Sequence, residues 1–175
     1  KLVYDDKGKP HLADKENVHI SISHANEFVA IAVNYQEPCG IDIEKISAKA
    51  LRVKSKFMNE KELDLAAENE ELATTMWSAK EALYKYYGRK EVIFDTDLSL
   101  TNLSLSECDF IGNIKLNGFE KQLNLKKEKV IKRLNEVYVG GAPNDAIRLL
   151  EDGSLTLTSW SGPKGHWNRG GMMRP

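Results

Sequence analysis

Apolar and polar residues alternate along the first half of the chain in a way that sets out its elements. Val18, Ile20 and Ile22 alternate with His19, Ser21 and Ser23, and a period of two predicts a strand with one buried face. His24-Ala25-Asn26-Glu27 reads as a turn, and the apolar run 28–33 as a fully buried strand pairing with the first. Residues 39–44 alternate again, with Ile41 and Ile43 on one face and Asp42 and Glu44 on the other. Asn59-x-x-Glu62 is a capping-box pattern that opens a short helix carrying Leu63, Ala66 and Ala67. Met76, Ala79, Leu83 and Tyr87 form a stripe at helical spacing, so a second helix is predicted over 71–87, stopped by Gly88. Strands are expected within 94–105, a hairpin turn at Asn117-Gly118, and a helix over 126–138 with Val130, Leu134 and Val137 on one side. Seven of the twelve glycines lie from residue 140 onward, which marks a change of texture. Leu155 and Leu157 alternate with Thr156 and Thr158 as one further strand, and 161–175 reads as a flexible tail.

The 175 residues suit one domain or two small lobes sharing a core. A net charge of −1 gives no global attraction to nucleic acid or to a membrane surface. No apolar run approaches the ~20 residues of a membrane span, and no signal peptide is read at the start. Cys39 and Cys108 form neither a CxxC pair nor a cluster with histidine, so zinc is not expected. They are read as buried thiols of a cytoplasmic protein.

Four segments can carry chemistry. Asp42 and Glu44, two apart on a strand, point the same way, and oxygen ligands without histidine favour magnesium. Taken alone, the pair reads more simply as the solvated face of an edge strand. Trp77, Glu81 and Lys85 share one helical side. Glu81 and Lys85 make an ordinary surface ion pair unless their helix docks beside Asp42 and Glu44, where Glu81 becomes a third carboxylate. Ser21-Ile22-Ser23-His24 can present hydroxyl, imidazole and N–H groups to a phosphate, or be turn chemistry only. Gly8-Lys9-Pro10 is a turn that also lets backbone approach a flat ring, with Lys9 near a phosphate.

In this order, and with the full stretches Gly40-Ile41-Asp42-Ile43-Glu44 and Trp77-Ser78-Ala79-Lys80-Glu81-Ala82-Leu83-Tyr84-Lys85, the segments resemble the 4′-phosphopantetheinyl transferase superfamily. The resemblance covers roughly residues 4–95 and is closer to the type that activates peptide and polyketide synthetases. It implies an α+β fold of two related lobes, each a three-stranded antiparallel sheet on a long helix, with the site between them. It implies magnesium held by Asp42, Glu44 and Glu81, with coenzyme A as substrate and an apo acyl or peptidyl carrier protein as acceptor. Glu81 would also take the proton from the carrier serine, directly or through water. Lys80 and Lys85 would steady the phosphates, and Lys85 would assist the leaving 3′,5′-ADP. Ser23 and His24 would approach the adenosine and its 3′-phosphate, and Gly8, Lys9 and Pro10 would line the adenine pocket.

Only seven residues precede Gly8, whereas the larger family type has a lobe or a helical segment there. The expectation is a transferase-like domain over 1–139 with a truncated first lobe, self-association as one way to restore it, and a Gly-rich segment over 140–175. Lys121, Lys126, Lys127, Lys129, Lys132 and Arg133 cluster within thirteen residues, either as a solvated helix face or as a dock for an acidic carrier. The competing reading is a truncated member or pseudoenzyme that binds coenzyme A without transfer. A magnesium-dependent phosphohydrolase and a plain carrier-binding module are weaker alternatives.

Overall fold

The computed structural model describes residues 1–25, 28–116, 118–130 and 155–160. The element order is β1 (Leu2–Tyr4), β2 (Pro10–Leu12), β3 (His19–Ala25), β4 (Phe28–Asn34), β5 (Ile41–Lys45), α1 (Lys49–Arg52), α2 (Glu60–Ala66), α3 (Glu70–Tyr87), β6 (Leu98–Thr101), β7 (Asp109–Leu116), β8 (Phe119–Val130) and β9 (Leu155–Trp160). A 3₁₀ turn, Lys54–Lys56, lies between α1 and α2. The fold is α+β, with two antiparallel sheets in the orders β1-β2-β3-β4 and β5-β9-β8-β7-β6. These four- and five-stranded sheets replace the expected three-stranded ones.

The first sheet follows the alternation in the sequence. Ile20 pairs with Val33, Ile22 with Ile31 and His24 with Val29 on one face, while Ser21, Ser23, Ala30 and Ala32 occupy the other. The expected turn begins later than predicted, because β3 continues through Ala25; Asn26 and Glu27 lie outside the described residues. The run 28–33 is not buried on both sides. Val29 is 41% exposed while Phe28, Ala30 and Ala32 are buried, so only one face meets the core. That face packs with Cys39, Ile41 and Ile43.

The second core lies between α3 and the inner faces of β6, β7 and β8. Met76, Ala79, Leu83, Leu98 and Ile114 are fully buried there, and each large side chain contributes about 1.5–3 kcal/mol by leaving water. Helix α2 starts with the capping box that the sequence predicts: Glu62 N–H donates to Asn59 Oδ1, and Asn59 N–H donates to Glu62 Oε2, both at 3.0 Å. Helix α3 starts one residue earlier than its apolar stripe indicates, after an Asn69 cap.

Gly88 ends α3 in the left-handed region, at φ +65°. A Cβ there would also come within 2.6 Å of Lys9 Nζ, which donates to the Tyr86 carbonyl at 3.2 Å. Gly88→Ala is therefore expected to cost about 1–2 kcal/mol from backbone strain and to push Lys9 off the helix end. Urea denaturation checks the first effect.

Two expectations need correction. Residues 126–130 are strand, not helix, because the β7–β8 hairpin keeps its register as far as Asp109–Lys126 and β9 pairs with β8 from there to Val130. Leu123, Leu125 and Lys127 are buried in alternation along it, so tertiary pairing overrides the helix-favouring lysines. The remainder of the predicted helix, 131–138, lies outside the described residues, as do the glycine-rich stretch 140–154 and the tail 161–175. The strand expected at 155–158 is present and lies between β5 and β8. The lysine cluster does not form one helix face. Lys127 turns inward onto the Ser104 and Leu105 carbonyls, Lys126 pairs with Glu128, and Lys121 is exposed. The Lys129 side chain, Lys132 and Arg133 lie outside what is described. Cys39 is buried as expected, whereas Cys108 is exposed; both are free. No helix among the described residues is long and apolar enough to cross a membrane.

Candidate active site

Strand β5 joins the two halves. Ser21 Oγ accepts from Ile41 N–H at 3.1 Å, and Ser23 Oγ from Ile43 N–H at 3.4 Å, so hydroxyls of β3 stand in for a backbone ladder beside β5. Helix α3 meets the chain at Gly40, the residue before β5. A Cβ on that glycine would overlap the Ala82 carbonyl oxygen and lie 2.9 Å from Tyr86 N, so the absence of a side chain lets the two backbones touch.

The contact brings Trp77, Glu81 and Lys85 of α3 beside Asp42 and Glu44 of β5. Trp77 Nε1–H donates to Glu44 Oε1 at 3.0 Å. Lys85 Nζ donates to Asp42 Oδ1 at 2.8 Å, and Ser23 Oγ–H donates to the same oxygen at 2.7 Å. Burial, and then the neighbouring Asp42, raise the Glu81 carboxyl to about 7, against the pull of Lys85. Burial and Asp42 raise Glu44 as well. Three carboxylates therefore share a partly dry region with the Lys85 ammonium.

Two concavities meet at α3. A cleft of about 220 Å³ is lined by Gly8, Lys9, Pro10, Lys85, Gly88 and Arg89. A larger cavity of about 720 Å³ is lined by Glu44, Glu81, Trp77, Tyr84, Phe57 and Phe94 among others, with Lys45, Lys49 and Lys56 also contributing. Tyr84 borders both. Phe57 meets Trp77 edge-on at 5.0 Å between centroids, and Phe94 packs on Trp77 and Tyr84, so the cavity wall is aromatic.

Asp42, Glu44, Glu81 and Lys85 are thus brought together, and Gly8, Lys9 and Pro10 line the neighbouring cleft. Ser23 is 6% exposed with its hydroxyl spent on Asp42, so it faces the carboxylates and not the cleft. His24 is exposed and shares its sheet face with Ile20 and Ile22, which line the cleft. Lys80 departs from expectation. It is fully buried, and its three N–H groups go to Glu62 Oε2 at 2.6 Å, the Phe57 carbonyl at 2.6 Å and the Phe94 carbonyl at 2.8 Å. No donor is left for a phosphate, because the residue next to Glu81 on a helix points about 100° away from it. Lys7 and Arg89, which also border the small cleft, carry no signal in the sequence, since neither belongs to a recognisable pattern.

The chemistry of this donor set suits a hard divalent cation. Asp42 Oδ2 is buried without a hydrogen-bond partner, and burial together with Asp42 holds the Glu44 and Glu81 carboxyls above their usual range, so the residues present fit such a cation chemically. Among the described residues no group of three or more His, Cys, Asp or Glu side chains is placed to hold a metal ion without some rearrangement.

In this α+β fold three acidic side chains lie close together, with Glu44 and Glu81 on the aromatic cavity and Lys85, the partner of Asp42, on the cationic cleft. The chain belongs to the 4′-phosphopantetheinyl transferase superfamily, whose family model matches residues 38–136. It is 36% identical over 87 residues to the 4′-phosphopantetheinyl transferase Sfp of Bacillus subtilis strain 168, covering 47% of this chain and 38% of that protein. It is 32% identical over 90 residues to the 4′-phosphopantetheinyl transferase gsp of Aneurinibacillus migulanus, covering 49% of this chain and 37% of that protein. The matches thus span less than two-fifths of these relatives.

Proposed function

We propose that this chain transfers the 4′-phosphopantetheine group of coenzyme A to a serine of an apo carrier protein, with magnesium held by Asp42, Glu44 and Glu81, and releases 3′,5′-ADP. The observation that carries this reading is the place of Glu81. Its carboxyl, raised to about 7 by burial and by Asp42, lines the aromatic cavity with Glu44, while Lys85, one helical turn on, lines the cationic cleft. The names of the relatives support the reaction class.

In this reading the nucleotide end of coenzyme A lies in the small cleft, near Gly8, Lys9, Pro10 and Arg89, with His24 at its margin. The pantetheine arm runs toward the aromatic cavity. The carrier serine is a poor nucleophile, and Glu81 accepts its proton, directly or through water. The serine oxygen bonds to the phosphorus that bears the pantetheine arm. The P–O bond to the nucleotide breaks, and its electron pair leaves with 3′,5′-ADP. Lys85 offsets negative charge on the phosphate oxygens. A bound divalent cation would supply further neutralisation across the pyrophosphate.

The test is intact-mass analysis of an apo carrier protein incubated with the chain, coenzyme A and magnesium. A gain of one phosphopantetheine, lost when a chelator is added, is the expected result. Coenzyme A binding without any gain on several carriers would replace this reading with that of a member that binds but does not transfer.

A further inference from the structure

Lys85 faces two demands that it cannot meet at once. Its ammonium donates to Asp42 Oδ1 at 2.8 Å, yet the residue also borders the cleft with Lys9 and Arg89, where an anionic substrate would draw it. Asp42 is 4% exposed, and a carboxylate that deep needs a charged partner. Oδ1 is fully engaged by Lys85 and Ser23 Oγ, while Oδ2 has no partner. The Lys85 side chain is 26% exposed, and its four-carbon stem gives the ammonium room to turn toward the cleft.

We propose that Lys85 is a resident counter-cation. It neutralises Asp42 while the carboxylates hold no metal, and it competes with a divalent cation for Asp42 until an anion in the cleft draws it away. The inference rests on the proposed role of Asp42, Glu44 and Glu81 as cation ligands. It makes the free protein a weak binder of divalent cations. It also couples the two ligands: a pyrophosphate that takes Lys85 exposes Asp42 to the cation, and by linkage the cation strengthens binding of the pyrophosphate to the same degree.

The test is calorimetric titration with Mg²⁺ alone, without coenzyme A, at fixed ionic strength. Lys85→Met is expected to bind Mg²⁺ about tenfold or more tightly than the wild-type chain, because a unit charge a few ångströms from the site is removed. Lys85→Arg keeps the charge and is expected to stay near wild type. Lys49→Met removes the other ammonium that acts on Glu44 but frees no oxygen of Asp42, so a smaller gain is expected there. If Lys85→Met does not fold, Lys85→Gln carries the same expectation of tighter binding. Equal affinity in the wild type and in Lys85→Met, or equal gains from Lys49→Met and Lys85→Met, would overturn the competition while leaving the cation site in place. Absence of Mg²⁺ binding in every variant would overturn both this inference and the carboxylate reading beneath it.

Discussion

Glu81→Gln is expected to lower phosphopantetheine transfer by at least about 10²-fold, the usual contribution of a positioned general base. The substitution keeps the shape of the side chain and removes both its charge and its capacity to take a proton. The intact-mass assay reads the loss directly. The pH profile provides a second readout. Glu81 titrates near 7, raised chiefly by burial and then by Asp42, and transfer needs the carboxylate. A bound cation favours the carboxylate, so transfer is expected to climb with pH through a midpoint below that of the cation-free chain. Stability should move the other way when no cation is present. A carboxyl raised in the folded state holds its proton between about 4.5 and 7, where the unfolded chain has released it. The contribution of Glu81 is thus fully present at low pH and lost as pH rises through 7. Glu81→Gln removes that loss, so the inactive variant should be the more stable of the two at pH 8. A transfer rate in Glu81→Gln equal to that of the wild type would remove Glu81 from the proton transfer.

Lys80→Met should be the most damaging change to stability. It strands the Glu62 carboxylate, 3% exposed, without its counter-ion. Removing one partner of a buried ion pair costs about 3–5 kcal/mol. Glu62 retains the N–H groups of Asn59 at 3.0 Å and of Leu100 at 2.9 Å, which places the loss toward the lower end. The Phe57 and Phe94 carbonyls lose their donor as well, so the aromatic wall beside Trp77 should loosen. Urea denaturation measures the first effect and near-ultraviolet circular dichroism the second. Unchanged stability with weakened coenzyme A binding would return Lys80 to the phosphate role.

Lys80 also shows where a sequence stops being informative. A helical wheel separates it from Glu81, but a lysine is among the last residues expected in a core. Only the acceptors brought by Glu62 of α2, by Phe57 and by Phe94 make that burial tolerable, and all three are distant in the chain. The carboxylate cluster was more legible. Period two placed Asp42 and Glu44 on one strand, and a spacing of four placed Trp77, Glu81 and Lys85 on one side of a helix. The docking of that helix on that strand depended on Gly40, whose contact with Ala82 is visible only in three dimensions. Strand β8 was misread because its lysines and the apolar spacing beyond them fit a helix, while its true partners, β7 and β9, supply the deciding hydrogen bonds. Ser23 was placed on the right strand, but its bond to Asp42 was not foreseen, since alternation identifies a face and not what lies against it.

Gly40 sets more than a packing distance. Where two backbones touch with nothing between them, any added atom acts as a shim. Alanine, serine and valine at position 40 would form a series of increasing thickness. Each would tilt α3 off β5 by a further increment and draw Glu81 away from Asp42 and Glu44 without altering any of the three. The reach of the acidic group is thus calibrated from outside it, by a residue that offers no functional group of its own.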